Sequence, residues 1–404
     1  MPDTSVRDQN PPRRALDGVR VLALETSLSG PHATKILADM GAEVIKLERP
    51  GSGDVIRGWD TAVNGLSSGI VWIGPNKKSF AIDVKKPAAR EILQRLASRV
   101  DVVLENFAPG AAARMGLGAD ELRKANPRLI YCSLSGYGQD GPFRDKKAYD
   151  ALIQGEAGWI MTTGYEDHPS RVGVSVTDLI SSMYAAVGIL TALYQREQTG
   201  EGQVIDISMF ETAASWLGYF PHHYWHRGEE PKRYGLRHQY ITPYGHYLAS
   251  DGKYFGVAVA SPADWEIFCK GVIERPDLLV DPRFKDTPAR RANREELDEI
   301  LIAIFLTQPS EEWLMRLDKV RLPHGKVNGV ADVLAHPQME ARGMIQEIDS
   351  PVGRIPVLAS PLHLSDSPQR LDPMPALGGD TESILRDLGY SDSELAAFRK
   401  DGVF

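Results

Sequence analysis

The sequence predicts an α/β protein with a parallel sheet and a second, smaller α+β domain. Strand and helix signals alternate over the first 150 residues, and this alternation is typical of βαβ units. From about Tyr219 the composition changes, and residues 221–247 are rich in His, Tyr, Arg and Gly. We therefore expect a large domain that includes residues 15–219 and a small domain at 220–330.

The two ends of the chain receive different assignments. Residues 1–14 are polar, contain Pro11 and Pro12 and lack an apolar stretch, so we expect a disordered tail and no signal peptide. Residues 331–404 contain a short apolar piece, Ile355–Leu358, and two helices, which are too small to fold alone. We expect them to pack back on the large domain, whose range is then 15–219 plus 331–404.

Short apolar runs predict five strands in the first part of the chain. Helical spacing separates them at Pro31–Gly41, which has proline near its start and glycine at its end, and at Pro87–Arg99. Ligands of parallel sheets bind at the carboxyl ends of the strands, so a site is expected in the loops that follow them. The strands are Val19–Glu25, Glu43–Arg49, Phe80–Val84, Asp101–Phe107 and Leu129–Leu134.

The later elements begin with a long helix from about Asp178 to Arg196, which is nearly uncharged and predicted to be buried, and a strand at Gln203–Ser208. A hairpin is indicated around Ser250-Asp251-Gly252, because β-rich runs flank this turn signal. The last helix starts at a capping box, Ser391 to Glu394. The small domain adds helices at Pro262–Val272, Arg294–Phe305 and Glu311–Leu317.

Composition excludes several classes of protein. With 46 basic and 54 acidic side chains the formal net charge is −8, which disfavours binding to a nucleic-acid backbone. The two cysteines, Cys132 and Cys269, form no CxxC pattern, so we expect neither a disulfide framework nor a cysteine zinc site, and a cytoplasmic location. The longest uncharged run, 179–195, is too short and polar for a membrane span.

Two motifs resemble known binding signatures but lack the sequence context that those signatures require. The glycines of Gly136–Gly141 match a dinucleotide fingerprint literally, but they follow the fifth strand and precede Pro142, so the context disfavours nucleotide binding there. His222 and His226 are four residues apart, yet the glutamate of a zinc-protease motif is missing. We therefore expect no metal site.

Asp178 is the most informative carboxylate. An aspartate at the start of a helix is usually a cap, but this one introduces a helix predicted to be buried, beside the predicted loop ends. In that position a carboxylate could act as a nucleophile or as an acid and base. Basic side chains near strand or loop ends either face solvent or form a pocket for a phosphorylated ligand; they are Arg49, Lys85, Arg114 and Lys147.

Stretches in order along the chain resemble the class III (CaiB/BaiF) coenzyme A transferase family. The resemblance runs from about residue 15 to the C-terminus, and the number of matches in order makes it specific. The matching stretches are Leu16–Leu22 with Gly30-Pro31, Gly41–Glu48, Pro50–Asp54, Asn76–Ser79, Glu105–Gly110, Ser135–Gly138, Tyr149-Asp150 to Gln154, Thr163-Gly164, Asp178, Gly188–Leu190, Thr199–Gln203 and Leu377–Thr381.

The resemblance implies a fold and a reaction. It implies a Rossmann-like large domain with an inserted smaller α+β domain, and an obligate homodimer of interlocked rings. It also implies that Asp178 attacks the thioester of an acyl-CoA, forming an aspartyl anhydride and then an aspartyl-CoA thioester, before coenzyme A passes to a free carboxylic acid. Acyl-CoA and the acid are then substrates, and no permanently bound cofactor or metal is implied.

The resemblance also implies residue roles. Arg49, Lys85, Arg114 and Lys147 match positions that meet the phosphates or the adenine end of coenzyme A. Thr26, Leu28 and Ser29 fall in the first strand-end loop, which faces coenzyme A and the aspartate. Further positions that line the coenzyme A site are Ile82, Asn106, Phe107 and Met115.

The substrate is predicted less directly. Leu28 replaces a glutamine of formyl-CoA:oxalate transferases, and Lys232–Gly245 stands where those enzymes have a glycine-rich lid, which argues against formate or oxalate. A short dicarboxylate is expected instead, with succinyl-CoA as a possible donor. Its distal carboxylate could be held by Arg171, Arg233, Arg237 and His238, and Tyr149 is a further candidate for a substrate contact.

Two alternatives stay open at this point. The related α-methylacyl-CoA racemases carry a Gly-His-Asp stretch, where this chain has Ala148-Tyr149-Asp150. Without the histidine, two-base racemisation lacks one of its bases. The other alternative is a non-catalytic protein that binds coenzyme A.

Overall fold

The computed structural model describes residues 13–404, which form two compact units. The first consists of the described residues up to Ala157, Gly173–Leu217 and Pro337–Phe404; the second consists of Gly158–Val172 and Gly218–His336. Most of the predicted tail, 1–14, lies outside the described residues. Arg14, inside that range, donates its backbone N–H to Asp17 at 2.8 Å.

Strands and helices are numbered in chain order. The strands are β1 Arg20–Leu24, β2 Glu43–Glu48, β3 Lys77–Ala81, β4 Val102–Glu105, β5 Ile130–Ser135, β6 Val204–Ser208, β7 Tyr244–Leu248, β8 Tyr254–Ala258, β9 His324–Lys326, β10 Ile345–Ser350 and β11 Gly353–Leu358. Short 3₁₀ helices lie at Val55–Gly58 and Pro276–Leu279. The α-helices are α1 Ser29–Asp39, α2 Ser68–Ile73, α3 Pro87–Ala97, α4 Ala111–Arg114, α5 Ala119–Ala125, α6 Asp150–Glu156, α7 Trp159–Thr162, α8 Val176–Thr199, α9 Met209–Ser215, α10 Phe220–Arg227, α11 Pro262–Gly271, α12 Thr287–Ala292, α13 Arg294–Phe305, α14 Ser310–Lys319, α15 Val330–Leu334, α16 Pro337–Ala341, α17 Thr381–Asp387 and α18 Asp392–Lys400.

A six-stranded parallel sheet forms the centre of the first unit, in the order β3-β2-β1-β4-β5-β6. This confirms the predicted α/β class with a parallel sheet. The strand order reverses between β1 and β4, since the chain proceeds from β1 towards one edge of the sheet and from β4 towards the other. The carboxyl ends of these two strands therefore open a crevice of the kind in which doubly wound proteins bind ligands.

One strand begins earlier than predicted. The third strand was expected at Phe80–Val84, but β3 covers Lys77–Ala81 and ends before Val84. The two lysines at its start interrupt the hydrophobic pattern from which a strand is predicted. Lys77 is nevertheless buried, because its ammonium group pairs with Glu25 at 2.9 Å.

The C-terminal helices pack on the first unit. Leu385 of α17 and Leu395 of α18 lie in the same buried cluster as Leu22 and Phe80 of the sheet. The start of α17 is tied to β3, because the backbone N–H of Ala81 donates to the Thr381 hydroxyl at 2.9 Å. These contacts explain how segments too short to fold alone become part of the first unit.

Helix α8 differs from the prediction of a fully buried helix. Its inner face packs against α1, α9, β5 and β6, but apolar side chains remain exposed on the other face. Within residues 13–404 it is the one helix that is long and apolar enough to cross a membrane. A core helix of a soluble protein can have the same length and composition. The exposed side chains include Met183, Tyr184, Val187 and Tyr194, the last at 71% exposure.

The second unit has its own sheet and core. Strands β7, β8 and β9 form an antiparallel sheet, and the predicted hairpin joins the first two. Its core is aromatic and includes Phe255, Phe268, Phe305 and Trp313. Unlike the predicted boundaries, residues 158–172 group with this unit, because Gly235 donates its N–H to the Gly164 carbonyl at 2.8 Å.

Candidate active site

The loop between β1 and α1, residues Glu25–Leu28, lies at the point where the strand order reverses. Asn106, the first residue after β4, holds this loop: its Oδ1 accepts from the Thr26 N–H at 2.9 Å and its Nδ2 donates to the Thr26 carbonyl at 2.9 Å. The same Nδ2 donates to the Ser29 hydroxyl at 3.2 Å. One amide therefore connects the ends of two neighbouring strands and orients Ser29.

Asp178 lies in the first turn of α8 and borders a cavity of about 300 Å³. Ser29 lines the same cavity, and its hydroxyl group favours the ionised form of the Asp178 carboxyl group, which lowers the pKa. Burial, with a smaller contribution from the charge of Asp150, raises the pKa of Asp178 to about 7. At neutral pH this carboxyl group is therefore poised between its acid and its carboxylate.

Asp150 stabilises the first turn of α8 through hydrogen bonds. Its Oδ1 accepts from the Thr177 N–H at 2.9 Å and from the Thr177 hydroxyl at 2.8 Å. Its Oδ2 accepts from the buried Gln154 amide at 2.8 Å. These bonds satisfy a backbone donor at the beginning of the helix and fix the turn that carries Asp178.

The cavity around Asp178 is lined by residues of the first unit and brings several predicted site residues together. Leu28 is not among them, since its side chain packs with Ile56 and Ile70 in an apolar cluster. The predicted residues that line the cavity with Asp178 are Thr26, Ser29, Asn106, Phe107, Lys147 and Tyr149.

A second cavity, of about 200 Å³, lies between the ends of β1, β2 and β3. Thr26 and Phe107 line both cavities, so the two share part of their walls. Arg114 ends α4 and directly precedes Met115, which lines the second cavity. The predicted coenzyme A contacts found in this lining are Arg49, Ile82, Lys85, Phe107 and Met115.

The four predicted phosphate contacts are exposed cations. Within residues 13–404, none of these side chains makes an ion pair, whereas Lys46 and Lys77 are buried among carboxylates. Exposed, uncompensated cations beside a cavity are available for an anionic ligand. The four are Arg49, Lys85, Arg114 and Lys147.

The candidates for a distal carboxylate contact lie in the second unit. Arg233 donates its Nε to the Tyr165 carbonyl at 2.8 Å, and its terminal nitrogens donate to other carbonyls of the same segment. Arg237 stacks over the Tyr247 ring at 3.8 Å and donates to the His246 carbonyl. Both line a cavity of about 510 Å³ within the second unit. Much of their donor capacity is used inside that unit.

The remaining two candidates are also engaged locally. Arg171 donates to the Val172 carbonyl at 3.0 Å. His238 stacks on Tyr244 with ring centres 4.8 Å apart, and its Nδ1 accepts from the Tyr240 N–H at 3.2 Å. A contact of these residues with a substrate stays a prediction.

Sequence reasoning missed the supporting groups around the site. In the sequence, Asp54 stands out only as the last residue of a family motif, and Asp150 only as the neighbour of the position where the racemases have a histidine. In the structure, both are buried hydrogen-bond acceptors. The signal available for Asp54 was a carboxylate in a Gly-rich turn directly after a strand. In the described part of the chain, no three His, Cys, Asp or Glu side chains are grouped so as to hold a metal ion.

Replacing Asp178 with Asn should raise stability at alkaline pH. Because the pKa of Asp178 is raised to about 7, the wild type loses stability as pH rises from about 4 to 7, and the neutral amide avoids this loss. The difference amounts to up to about 4 kcal/mol, at about 1.4 kcal/mol per pKa unit. Melting temperatures measured without ligand between pH 4.5 and 8 test this. If the difference in melting temperature between the variant and the wild type did not change with pH, the raised pKa would be contradicted.

These features define a protein of the doubly wound α/β class, with a largely buried carboxyl group of raised pKa at the reversal of strand order. The family model for CoA-transferase family III matches residues 16–381, so the chain belongs to this family. The recognised family resemblance is thereby confirmed.

Known relatives agree with this membership. The chain is 36% identical to succinyl-CoA:glutarate CoA-transferase of Mus musculus, covering 96% of this chain and 90% of the relative. It is 38% identical to acetyl-CoA:oxalate CoA-transferase of Acetobacter aceti, covering 83% and 86%. A CAIB/BAIF family protein from Brucella suis has a crystal structure with a TM-score of 0.83 and 35% identity, covering 93% of this chain and all of the other. The chain is therefore an enzyme that transfers coenzyme A between carboxylic acids.

Proposed function

We propose that the chain transfers coenzyme A from succinyl-CoA to a short dicarboxylic acid, with Asp178 as nucleophile. The observation that carries this proposal is a largely buried carboxyl group of raised pKa, with Ser29 in the same cavity lining, at the reversal of strand order. The chain needs no ATP for such a reaction, because one thioester is exchanged for another of similar energy.

The reaction begins with attack of the Asp178 carboxylate on the thioester carbonyl carbon of the donor. The C–S bond breaks, so that a mixed anhydride and the coenzyme A thiolate form. The thiolate then attacks the aspartyl carbonyl and releases the donor acid, leaving an aspartyl-CoA thioester. The acceptor carboxylate displaces the thiolate to give a second anhydride. Attack of the thiolate on the acceptor carbonyl gives the new acyl-CoA and restores Asp178.

The surroundings of Asp178 suit a nucleophile of this kind. A carboxylate with a raised pKa is more basic and hence more nucleophilic than an exposed one, while part of it is still ionised at neutral pH. Ser29 lines the same cavity, so its hydroxyl group is available to orient the attacking carboxylate. Burial also limits access of water, which would hydrolyse the anhydride.

Coenzyme A is proposed to extend from the cavity around Asp178 into the second cavity. Thr26 and Phe107 line both, so one ligand could contact the walls of each. The thioester would then lie beside Asp178, and the nucleotide phosphates near the exposed cations Arg49, Lys85, Arg114 and Lys147.

Arg49→Ala and Arg114→Ala should each raise the KM for acyl-CoA more than the KM for the free acid. A well-formed hydrogen bond to a charged group contributes about 1.5–3 kcal/mol, so an increase of roughly 10-fold or more is expected. Lys124→Ala, an exposed cation on α5, is the matched control and should leave both values unchanged. Steady-state kinetics with each substrate varied in turn test this, and equal increases in both KM values would exclude a specific role in acyl-CoA binding.

A dicarboxylate acceptor is supported by the names of relatives, since both glutarate and oxalate are dicarboxylates. The relative named for oxalate weakens the expectation that oxalate is excluded, so oxalate belongs in the test. Purified protein is incubated with succinyl-CoA and glutarate, oxalate, mesaconate or a monocarboxylate of matched length, and new CoA esters are identified by mass spectrometry. We expect faster transfer to at least one dicarboxylate; faster transfer to the monocarboxylates would contradict the proposal.

We further propose that two copies form an interlocked homodimer. The exposed apolar face of α8 supports this, because a monomer rarely leaves Met183, Tyr184, Val187 and Tyr194 on one helix face in water. A second copy that covers this face would resolve the difference from the predicted full burial of α8. We also propose a cytoplasmic location, with which two free, buried cysteines are compatible.

A further inference from the structure

We propose that Asp54 is a positioning residue, which holds the Glu25–Leu28 loop in the shape that places Ser29, the next residue, beside Asp178 in the cavity that both line. This proposal rests on the proposed role of Asp178. The Asp54 side chain is almost fully buried, and its Oδ1 accepts from the Thr26 hydroxyl at 3.0 Å and from the Ser27 N–H at 2.9 Å. Asp54 therefore holds two consecutive residues of the loop.

The loop requires such support because of its backbone. Ser27 has a φ of +63°, in the left-handed region that residues other than glycine rarely adopt. The N–H of this strained residue is the one that Asp54 accepts. Asn106 holds the neighbouring Thr26 through both its N–H and its carbonyl. The strained turn thus lies between two fixed side chains, and Ser29 follows it closely.

A buried chain of charges fixes Asp54 in turn. Lys46 donates to Asp54 Oδ2 at 2.7 Å and to Glu25 Oε1 at 3.2 Å, and Lys77 donates to the same Glu25 oxygen at 2.9 Å. The lysines of β2 and β3 thereby pair with the carboxylates on either side of the loop. Glu25 directly precedes Thr26 in the chain. The loop is therefore held at its start by Glu25 and at Thr26 and Ser27 by Asp54, and both carboxylates pair with Lys46. Such buried pairs are costly to break singly, which makes the arrangement rigid.

Asp54 also connects the two cavities. It lines the second cavity together with Arg49, a proposed contact of the coenzyme A phosphates. Thr26, which it binds, lines both cavities. The loop proposed to meet the nucleotide is therefore joined through one carboxylate to the loop that orients the nucleophile.

The test is the kinetics of Asp54→Asn in the intact protein. The amide keeps the shape but loses the charge and one acceptor oxygen, so Ser29 and Asp178 should move out of alignment. We expect kcat to fall on the order of 10- to 100-fold, while the KM for acyl-CoA changes less than about threefold. Asp39→Asn is the matched control, since Asp39 is a buried ion-pair partner of Lys35 at the other end of α1. It should keep the wild-type kcat even where it lowers the melting temperature.

A second pair of variants decides the matter should Asp54→Asn fail to fold. Thr26→Val removes the hydroxyl donor but keeps the buried ion pairs, whereas Thr26→Ser keeps the donor. We expect Thr26→Val to lower kcat and Thr26→Ser to restore most of it. Wild-type kcat in Asp54→Asn overturns the proposal, as does equal kcat in the Thr26→Val and Thr26→Ser proteins if Asp54→Asn does not fold. Asp178→Ala is assayed alongside: an active Asp178→Ala protein refutes the proposed nucleophile, while an inactive one leaves only the role of Asp54 in question.

Discussion

Asp178→Ala should abolish coenzyme A transfer while the protein remains folded. Removing the nucleophile of a covalent mechanism removes every later step, so we expect kcat to fall by at least about 10⁴-fold. No other carboxyl group in the described part of the chain combines a place in the lining of this cavity with a pKa raised to about 7. Transfer is measured by the appearance of the acceptor-CoA ester.

The control for this variant is retention of structure and binding. Asp178 lies at the edge of the core and makes no ion pair with the residues that the structure describes, so its removal should leave the fold and the binding of free coenzyme A intact. Asp178→Asn keeps the side-chain volume and should be equally inactive. A variant that transfers coenzyme A at more than a tenth of the wild-type rate is incompatible with Asp178 as nucleophile.

Val187→Asp should prevent the proposed dimer from assembling, so that the newly folded protein is monomeric. Val187 lies at the middle of the exposed apolar face of α8, at 54% exposure in the single chain. A carboxylate without a partner in a dry interface costs about 2–5 kcal/mol, and the twofold symmetry of a dimer introduces it twice. Because interlocked rings separate only when a chain unfolds, this cost acts when the two chains assemble, and newly expressed or refolded protein is the sample to measure.

The oligomeric state is measured by analytical ultracentrifugation across a range of protein concentrations. Val280→Asp is the control, because this valine is exposed in the second unit and is no part of the α8 face. We expect wild type and Val280→Asp to sediment as dimers and Val187→Asp as a monomer. An unchanged dimer in Val187→Asp would place the interface elsewhere on the molecule.

Elements with a clear period could be predicted from the sequence. Strands such as β1 are short apolar runs, and a helix such as α3 buries Ile92, Leu93 and Leu96 on one side, so local pattern and tertiary burial agree. The place of Asp178 at the start of a helix could also be predicted from the sequence, because a single carboxylate before an apolar helix is conspicuous. Both are local properties of the chain.

Contacts between distant segments could not be predicted in the same way. The association of residues 158–172 with the second unit depends on hydrogen bonds such as Arg233 to Tyr165, across 68 positions of sequence. Asp54 and Asp150 reveal their roles only through partners on other elements. The glycine at 136 serves packing, since a Cβ there would lie 2.4 Å from the Ala148 side chain. A local motif carries no information about such neighbours.

Helix α8 illustrates a different limit. Its composition is apolar on all sides, which predicts burial but does not specify what covers each face. Ala185 and Ile189 are buried within the unit, whereas Val187 and Tyr194 are not. An apolar sequence cannot distinguish burial within one chain from burial against a second copy.

Covalent trapping during turnover tests the central claim most directly. Wild-type protein is mixed with acyl-CoA and quenched with hydroxylamine, which converts an aspartyl anhydride or thioester to a hydroxamate, and the digested peptides are analysed by mass spectrometry. We predict a hydroxamate on Asp178, dependent on acyl-CoA and absent from Asp178→Asn. Modification of another carboxylate under the same conditions, with Asp178 unmodified while product accumulates, would contradict the account.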